Sequence, residues 1–302
     1  MSSAVFLGML PVFGRWSILD GFSPLAVVTL RTCMASVILF VIIAIYRPRF
    51  LYIFPLGFLG CLLAGVINGL GSLLYYIALA DLPASLGQLL YAIYPLLVAV
   101  FSVLDKQPLS RLTLLRVGLA SVALLLLTIG SGGLHAPLHA ILMMIGAAAL
   151  YALHIPINQR VLYEIPAPTV TIYTLLAMSA VTLPFYLIFD RQLPAANVSW
   201  WPLIILTVVT FLSRLTLFLG VKHIGGIQTA ILGLGELLIT IALSFYFLHE
   251  TLTLTQIIGA AVLGASILMV SFEKHDPDKH HKGGWLAWIH PPEVSVPWSL
   301  QE

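Results

Sequence analysis

Ten long apolar runs constrain the fold of this chain more than any other feature of its sequence. Each is about as long as a helix that crosses a bilayer, which needs roughly 20 apolar residues. The runs lie at residues 2–19, 24–45, 52–79, 84–104, 112–129, 138–161, 169–189, 200–221, 227–248 and 254–272. Helices are expected, because an open sheet or a loop leaves backbone polar groups unsatisfied in lipid. The sequence therefore predicts an all-α membrane protein with ten transmembrane helices.

The overall composition favours the same class of protein. Charged residues make up 9% of the chain and hydrophobic residues 60%, whereas a soluble domain has about 25% charged residues. The formal net charge is only +2 and the basic residues are scattered, so a nucleic-acid partner is not expected. Cys33 and Cys61 lie in separate apolar runs without metal-ligand or redox spacing. Neither a metal nor another cofactor is expected.

Basic residues are distributed unevenly among the connecting segments. The segments after the even-numbered spans carry Arg47, Arg49, Lys106, Arg111, Arg160 and Lys222. Those after the odd-numbered spans carry Asp20, Asp81, Asp190, Arg191 and Glu250. Cytoplasmic loops are enriched in Lys and Arg. The pattern predicts a multi-pass protein of the cell (inner) membrane with both termini in the cytoplasm.

The two halves of the chain show similar patterns. Pro24 and Pro168 both open a span, and Tyr94 of span four aligns with Glu236 of span nine. Because five is an odd number of spans, the second repeat is expected to run through the membrane upside down. We predict two inverted five-helix repeats, at residues 1–132 and 136–272, followed by a disordered cytoplasmic tail at 273–302. Inverted repeats are typical of secondary transporters, whose site lies near the membrane midplane between the repeats.

Several local motifs resemble those of a known transporter family. The second half contains Glu236, then Glu250-Thr251-Leu252-Thr253, Gln256 and Gly259; the first half contains Pro24 with Arg31, Tyr75-Tyr76 and Tyr94-Pro95-Leu96. Over residues 1–272 the chain resembles the EamA-like members of the drug/metabolite transporter superfamily. The resemblance implies ten helices around a central cavity lined by helices one to four and six to nine, with helices five and ten at the periphery. Leu237 departs from the proline that usually follows the mid-helix glutamate.

Two opposite charges lie inside neighbouring spans. A carboxylate inside a spanning helix costs about 2.5–3.5 kcal/mol on insertion scales, so Glu236 requires compensation. Counted from the same membrane face, Arg214 lies roughly 12 Å deep in span eight and Glu236 roughly 15 Å deep in span nine, at 1.5 Å per residue. Their similar depth predicts an ion pair. A structural pair and a place on a substrate or proton path both remain open.

Five further polar residues are candidates for substrate binding or coupling. His154 in span six is a candidate proton carrier, since the ordinary pKa of histidine is near 6.5; a bond to a neighbouring carbonyl is the alternative. Asn68 in span three is either an interhelical hydrogen bond or a substrate contact. Gln88, Tyr91 and Tyr94 follow one face of span four at spacings of three, and they either line a cavity or pack against other helices.

These features predict a secondary transporter that moves a small polar organic metabolite, amino-acid-like or related, by alternating access, with proton coupling left open. One alternative is an exchanger of phosphorylated or nucleotide-linked metabolites, which needs several basic residues at the cavity; only Arg214, Arg31 and Lys222 qualify. An intramembrane enzyme is not expected, because the sequence lacks His-Glu-x-x-His, Gly-x-Gly-Asp and Gly-x-Ser-x-Gly. The expected partners are a small-molecule substrate and the lipid bilayer, with a homodimer left open.

Overall fold

The computed structural model describes residues 2–106, 111–129, 137–191, 198–247 and 253–269, together with 284 and 286. Within these residues the protein contains twelve α-helices, a short 3-10 helix at Pro48–Leu51, and no strand. The α-helices are α1 (Ser2–Leu19), α2 (Pro24–Tyr46), α3 (Pro55–Asp81), α4 (Ala84–Tyr91), α5 (Tyr94–Leu104), α6 (Arg111–Ile129), α7 (Leu138–Leu162), α8 (Ala167–Phe189), α9 (Trp201–Ile224), α10 (Gly226–Gly233), α11 (Gly235–Phe247) and α12 (Leu254–Leu268).

Seven helical segments of the described chain are long and apolar enough to cross a membrane. They are α2, α3, α4 with α5, α7, α8, α9, and α10 with α11. The remaining predicted spans coincide with α1, α6 and α12, which have 18, 19 and 15 residues. An all-helical membrane protein is therefore confirmed, while the count of ten spans stays a prediction.

The bundle is apolar outside and carries polar groups inside. Ile45, Leu104 and Ile188 are each more than 60% exposed, and such surfaces are stable only against lipid. By contrast, Arg214 and Glu236 are 5% and 2% exposed. Intramembrane ionisable groups normally face the interior of a bundle, as they do here.

Helix boundaries follow from local sequence. Ser23 caps α2, because its hydroxyl accepts a hydrogen bond from the Ala26 N–H at 3.1 Å, and Pro24 occupies the first turn, where no N–H is needed. Gly225 ends α9 with φ of 81°, a conformation that side chains disfavour. Its N–H donates to the Val221 carbonyl at 3.0 Å, and α10 begins at the next residue.

Two spans are interrupted at corresponding places. Helices α4 and α10 have eight residues each and begin 142 positions apart (84 and 226). The first break precedes Pro95, whose ring lacks an N–H and collides with a carbonyl of the preceding turn. The second break, at Leu234, lies between Gly233 and Gly235, and glycine is a common cause of helix kinks. The break is thus present although Leu237 replaces the usual proline.

Close helix packing surrounds α3. This helix lies against α7 and α8, while α1 lies against α9 and α11. A Cβ at Gly65 would lie 2.7 Å from the Thr174 carbonyl oxygen of α8, so only glycine permits this approach. Small residues at helix interfaces allow such close packing in membrane proteins. Helices α6 and α12 pack against each other.

Some sequence predictions fall outside the described residues. Glu250 of the family motif is among them, as is most of the tail predicted to be disordered. Within the tail, the structure describes Gly284 and Leu286. Leu286 is fully buried, and its N–H donates to Asp105 Oδ1 at 3.1 Å.

Candidate functional site

A polar cavity lies at the centre of the bundle. Its lining comes from seven helices: Leu7, Leu10 and Pro11 of α1, Arg31 of α2, Ser72, Tyr75 and Tyr76 of α3, Gln88 and Tyr91 of α4, Tyr151 of α7, Arg214 of α9 and Glu236 of α11. The accessible volume is about 40 Å³, and one water needs about 10–15 Å³ on this measure. In this conformation the cavity has room for only a few waters.

The helices at the cavity largely agree with what the family resemblance implies. No described residue of α6 or α12 lines the cavity, which agrees with a peripheral place for helices five and ten. The resemblance also implied that helix seven, here α8, lines the cavity. Instead α8 packs behind α2 and α3, and none of its described residues reaches the lining.

Glu236 is the buried carboxylate of this cavity. It lies in the first turn of α11, directly after the second helix break. Tyr94 and Gln88 lie within hydrogen-bonding reach of its carboxylate, as the predicted face of span four requires. Its Oε1 atom has no hydrogen-bond partner among the described residues. A buried acceptor left unsatisfied is costly, so this oxygen is available to a proton or a ligand.

Arg214 faces the same cavity but is held by Asn68 rather than by Glu236. In one orientation of the Asn68 amide, its oxygen accepts hydrogen bonds from both Nη1 and Nη2 of Arg214 at 3.0 Å. Asn68 thus makes the interhelical bond that was one of its two predicted roles. Within the described chain, Arg214 and Glu236 interact electrostatically without forming a direct ion pair. The predicted ion pair is therefore wrong: similar depth brought both charges to one cavity, but Nη1 and Nη2 of Arg214 donate to Asn68 instead.

Arg31 is a lining residue that was not among the predicted site residues. Its guanidinium lies 4.6 Å from the centre of the Tyr76 ring, and Nη1 donates to Thr210 Oγ1 at 3.2 Å. The side chain is 3% exposed, so it does not extend to the membrane interface. Helix α2 is apolar around most of its circumference, so its hydrophobic pattern alone does not identify the inward face. The recurrence of Arg after Pro24 in the resembling family was the available signal.

Tyrosine side chains form much of the remaining wall. Tyr91 contacts the rings of Tyr75, Tyr94 and Tyr151 at centroid distances of 5.0, 5.6 and 5.3 Å. The hydroxyls of Tyr76 and Tyr151 are buried without hydrogen-bond partners among the described residues. Sequence analysis identified Tyr91 and Tyr94 as candidates but missed Tyr151, which precedes His154 by one helical turn.

Gln88 and Tyr94 join the cavity to its surroundings. Gln88 accepts a hydrogen bond from the Tyr75 hydroxyl at 3.1 Å. The Tyr94 hydroxyl donates to the Ala230 carbonyl oxygen of α10 at 3.2 Å. The two helix breaks therefore face each other, with Tyr94 from the first half and Glu236 from the second.

His154 lies behind the cavity wall rather than in it. Its ring packs on Tyr151 with centroids 4.6 Å apart, and Nδ1 bonds to the Tyr151 carbonyl oxygen. This is the carbonyl bond given above as the alternative to a proton carrier. Nε2 has no hydrogen-bond partner in the described structure. Movement of Tyr151 is needed before this nitrogen can contact the cavity.

The geometry defines a class of protein: a polytopic membrane bundle that concentrates charges around a central cavity. Comparison with known proteins agrees. The model of the EamA-like transporter family matches residues 1–129 and again 138–272, and the chain therefore belongs to the EamA-like transporter family. The two matches correspond to two repeats.

Two further comparisons concern a relative named as a transporter and a solved structure with a similar fold. A protein of Archaeoglobus fulgidus named "Uncharacterized transporter" is 28% identical over 205 residues, which cover 68% of this chain and 73% of that relative. A solved crystal structure superimposes with a TM-score of 0.69 over 90% of this chain and 97% of the other, at 15% identity. At that identity the likeness concerns the fold alone.

Proposed function

We propose that this protein is a secondary transporter that moves a small polar organic metabolite, amino-acid-like or related, across the membrane by alternating access. The observation that carries the proposal is Glu236, a buried carboxylate that faces the central cavity with one oxygen unpartnered. An ionisable group in the middle of a membrane bundle is functional by default. Its cost is otherwise hard to explain, because no ion pair compensates it within the described chain.

Two inverted five-helix repeats supply the moving parts in this proposal. The helix contacts support two repeats, because the main contacts between helices of the first half and helices of the second have counterparts between the equivalent helices. Helix α1 packs on α9 as α7 packs on α3, and α1 packs on α11 as α7 packs on α5. Rocking of one repeat against the other would expose a midplane site to each side in turn.

In this mechanism Glu236 couples transport to a proton. Protonation neutralises the carboxylate, so that binding of a proton changes the charge of the cavity lining by one unit. Tyr94 and Gln88 would hold the group in place, while Arg214, positioned by Asn68, would bind the polar part of the substrate. His154 is the second candidate for the proton carrier, although it would act from behind Tyr151.

The charges of the cavity lining also disfavour the alternative of a phosphorylated or nucleotide-linked substrate. Arg31 and Arg214 are the described cations of the lining, and Glu236 lies beside them. A dianionic phosphate would meet this carboxylate at close range, and like charges repel strongly in a low dielectric.

The test uses purified protein in proteoliposomes. Comparing the metabolites of cells with and without the protein identifies the substrate, whose uptake is then measured with an imposed pH gradient. We expect Glu236→Gln to lose uptake driven by the gradient while it retains exchange of labelled for unlabelled substrate. The variant keeps the shape of the side chain and removes its charge.

His154→Gln is the matched control in the same assay. We expect its driven uptake to persist, because His154 does not line the cavity. Normal, pH-dependent uptake by Glu236→Gln would contradict the coupling role. Loss of driven uptake in His154→Gln instead would transfer that role to the histidine.

A further inference from the structure

Two buried guanidinium groups share the central cavity without an anion between them. Arg31 approaches from α2 and Arg214 from α9, and they are close enough to repel each other electrostatically. Both are at most 5% exposed. Charges in such a place are normally paired, because an uncompensated buried charge is costly.

Neither guanidinium is fully satisfied by the protein. Arg31 has Thr210 and the Tyr76 ring, and Arg214 has Asn68, yet Nε of each arginine has no hydrogen-bond partner among the described residues. The Tyr76 hydroxyl is likewise unpartnered. All three side chains line the cavity, and their unpartnered donors are buried beside it.

The charges along the cavity are ordered. Arg214 interacts electrostatically with both Arg31 and Glu236, whereas Tyr76 interacts with the two arginines and Tyr94 with Glu236. Of the two guanidinium groups that line the cavity, Arg214 is therefore the one that interacts with Glu236, whereas Arg31 interacts with Arg214 and Tyr76. The charged lining residues sum to +1 with Glu236 ionised, which one monoanionic group neutralises.

From this arrangement we infer that Arg31, Arg214 and Tyr76 form an anion subsite that binds a carboxylate of the transported molecule. A carboxylate matches the planar fork of guanidinium donors, and it accepts from the unused donors that the protein leaves. The subsite makes Arg31 a specificity-determining residue. The inference rests on the proposed function and adds the chemical group that the transporter selects.

Carboxylate is favoured over phosphate by charge. A dianion would leave the lining with a net negative charge beside Glu236, whereas a monoanion leaves it neutral. Both groups share the same guanidinium chemistry, so the experiment includes each.

Ligand-induced thermal stabilisation of the purified protein in detergent tests the subsite without relying on transport. The probes are the standard L-amino acids, the corresponding α-carboxamides, and inorganic phosphate. The carboxamide keeps the size and the amine of each amino acid and removes only the negative charge. We expect at least one amino acid to raise the melting temperature and its carboxamide to bind at least about tenfold more weakly, since a hydrogen bond to a charged group contributes about that much.

Variants of Arg31 then test whether this residue causes the preference for the acid over the carboxamide. Arg31→Gln should abolish the discrimination between the acid and the carboxamide. Arg31→Lys retains the charge but loses Nε and the planar pair of guanidinium donors, so it should weaken binding of the acid at least about tenfold. If Arg31→Gln does not fold, Arg31→Lys alone tests whether Arg31 binds the carboxylate. Arg47→Gln removes an exposed arginine at the end of α2 and should bind the acid normally.

Four outcomes would overturn the inference: equal binding of acid and carboxamide, unchanged binding by both Arg31 variants, stabilisation by phosphate alone, or no stabilisation by any probe. Each of these leaves the transport proposal standing if the Glu236 assay succeeds with another metabolite. Failure of that assay with every metabolite, despite acid-specific stabilisation, would instead remove the transport proposal.

Discussion

Tyr94 and Glu236 occupy corresponding positions in the two halves of the chain, and their side chains interact beside the cavity. The Tyr94 hydroxyl donates to the Ala230 carbonyl oxygen at 3.2 Å and lies within hydrogen-bonding reach of the Glu236 carboxylate. One hydroxyl therefore connects the break between α4 and α5 to the break between α10 and α11.

Tyr94→Phe tests this connection. Removing the hydroxyl leaves the Ala230 carbonyl without this donor, so we expect a loss of about 1 kcal/mol in stability and slower transport. Thermal unfolding in detergent and uptake into proteoliposomes measure the two effects. Tyr46→Phe, at a residue that is 74% exposed, is the control and should change neither. An unchanged Tyr94→Phe protein would mean that the hydroxyl is dispensable.

A second prediction concerns the buried pair of Asp105 and Arg160. Asp105 Oδ2 accepts from Nη2 at 2.8 Å and from Nε at 3.2 Å, and both side chains are at most 2% exposed. Asp105→Asn keeps a hydrogen-bond acceptor but removes the negative charge beside the Arg160 guanidinium. We therefore expect the free energy of unfolding to fall by about 3–5 kcal/mol. The double variant Asp105→Asn/Arg160→Gln should recover part of this loss in thermal or chemical unfolding.

The exposed pair of Asp81 and His139 is the comparison for Asp105. Its closest nitrogen and oxygen atoms are 2.9 Å apart, but the side chains of Asp81 and His139 are 47% and 59% exposed. Solvent screens such pairs, so Asp81→Asn should cost no more than roughly 1 kcal/mol. Equal losses for Asp81→Asn and Asp105→Asn would show that burial does not set the energy of the pair.

A third prediction concerns the contact between α1 and α11. A Cβ at Gly8 would lie 2.6 Å from the Glu236 carbonyl oxygen and 2.7 Å from Ile239 Cβ. Gly8→Ala should therefore separate the helices and cost about 1–3 kcal/mol, as overpacking does. Gly118→Ala is the matched control, because nothing lies within 4 Å of its added Cβ; stability there should stay equal or rise. Unfolding in detergent distinguishes the two, and a neutral Gly8→Ala would contradict the packing.

The fourth prediction concerns orientation. The excess of Lys and Arg after the even-numbered spans predicts that these segments are cytoplasmic. A reporter active only in the cytoplasm should give signal when it is fused after Arg49 or Lys106 and none when it is fused after Asp190. Signal at Asp190 with silence at Lys106 would invert the topology and leave the transport proposal intact.

Sequence patterns identified much of the fold because lipid imposes a simple rule on the backbone. The span at 200–221 corresponds to α9, and the span at 169–189 to α8, within two or three residues at each end. The break before Pro95 has a visible cause in the sequence. The break at Leu234 was missed, since two glycines in an apolar run are equally compatible with an uninterrupted helix.

The cavity could be predicted only in part. Glu236, Arg214, Gln88 and Tyr91 were identified because charged or amide groups inside a span, or a regular polar face, require an explanation. Depth along a helix can be counted from sequence, but rotation about its axis cannot be read from a helix that is apolar around most of its circumference. For that reason three features became visible only in three dimensions: the partner of Arg214, the inward direction of Arg31, and the place of His154 behind Tyr151.

The paired helix breaks have a mechanical consequence. A continuous helix is stiff because each turn is tied to the next by backbone hydrogen bonds, and bending it sharply means breaking some of them. At the two breaks the regular pattern of backbone hydrogen bonds is interrupted, and shorter-range bonds such as Leu234 N–H to the Ile231 carbonyl at 3.2 Å replace it. Helices α5 and α11 are therefore joined to α4 and α10 by preformed bends. Rotating α5 or α11 at its bend then requires side chains around Tyr94 and Glu236 to repack but breaks few backbone hydrogen bonds. Occupancy of the cavity, which touches both bends, can therefore control the motion directly.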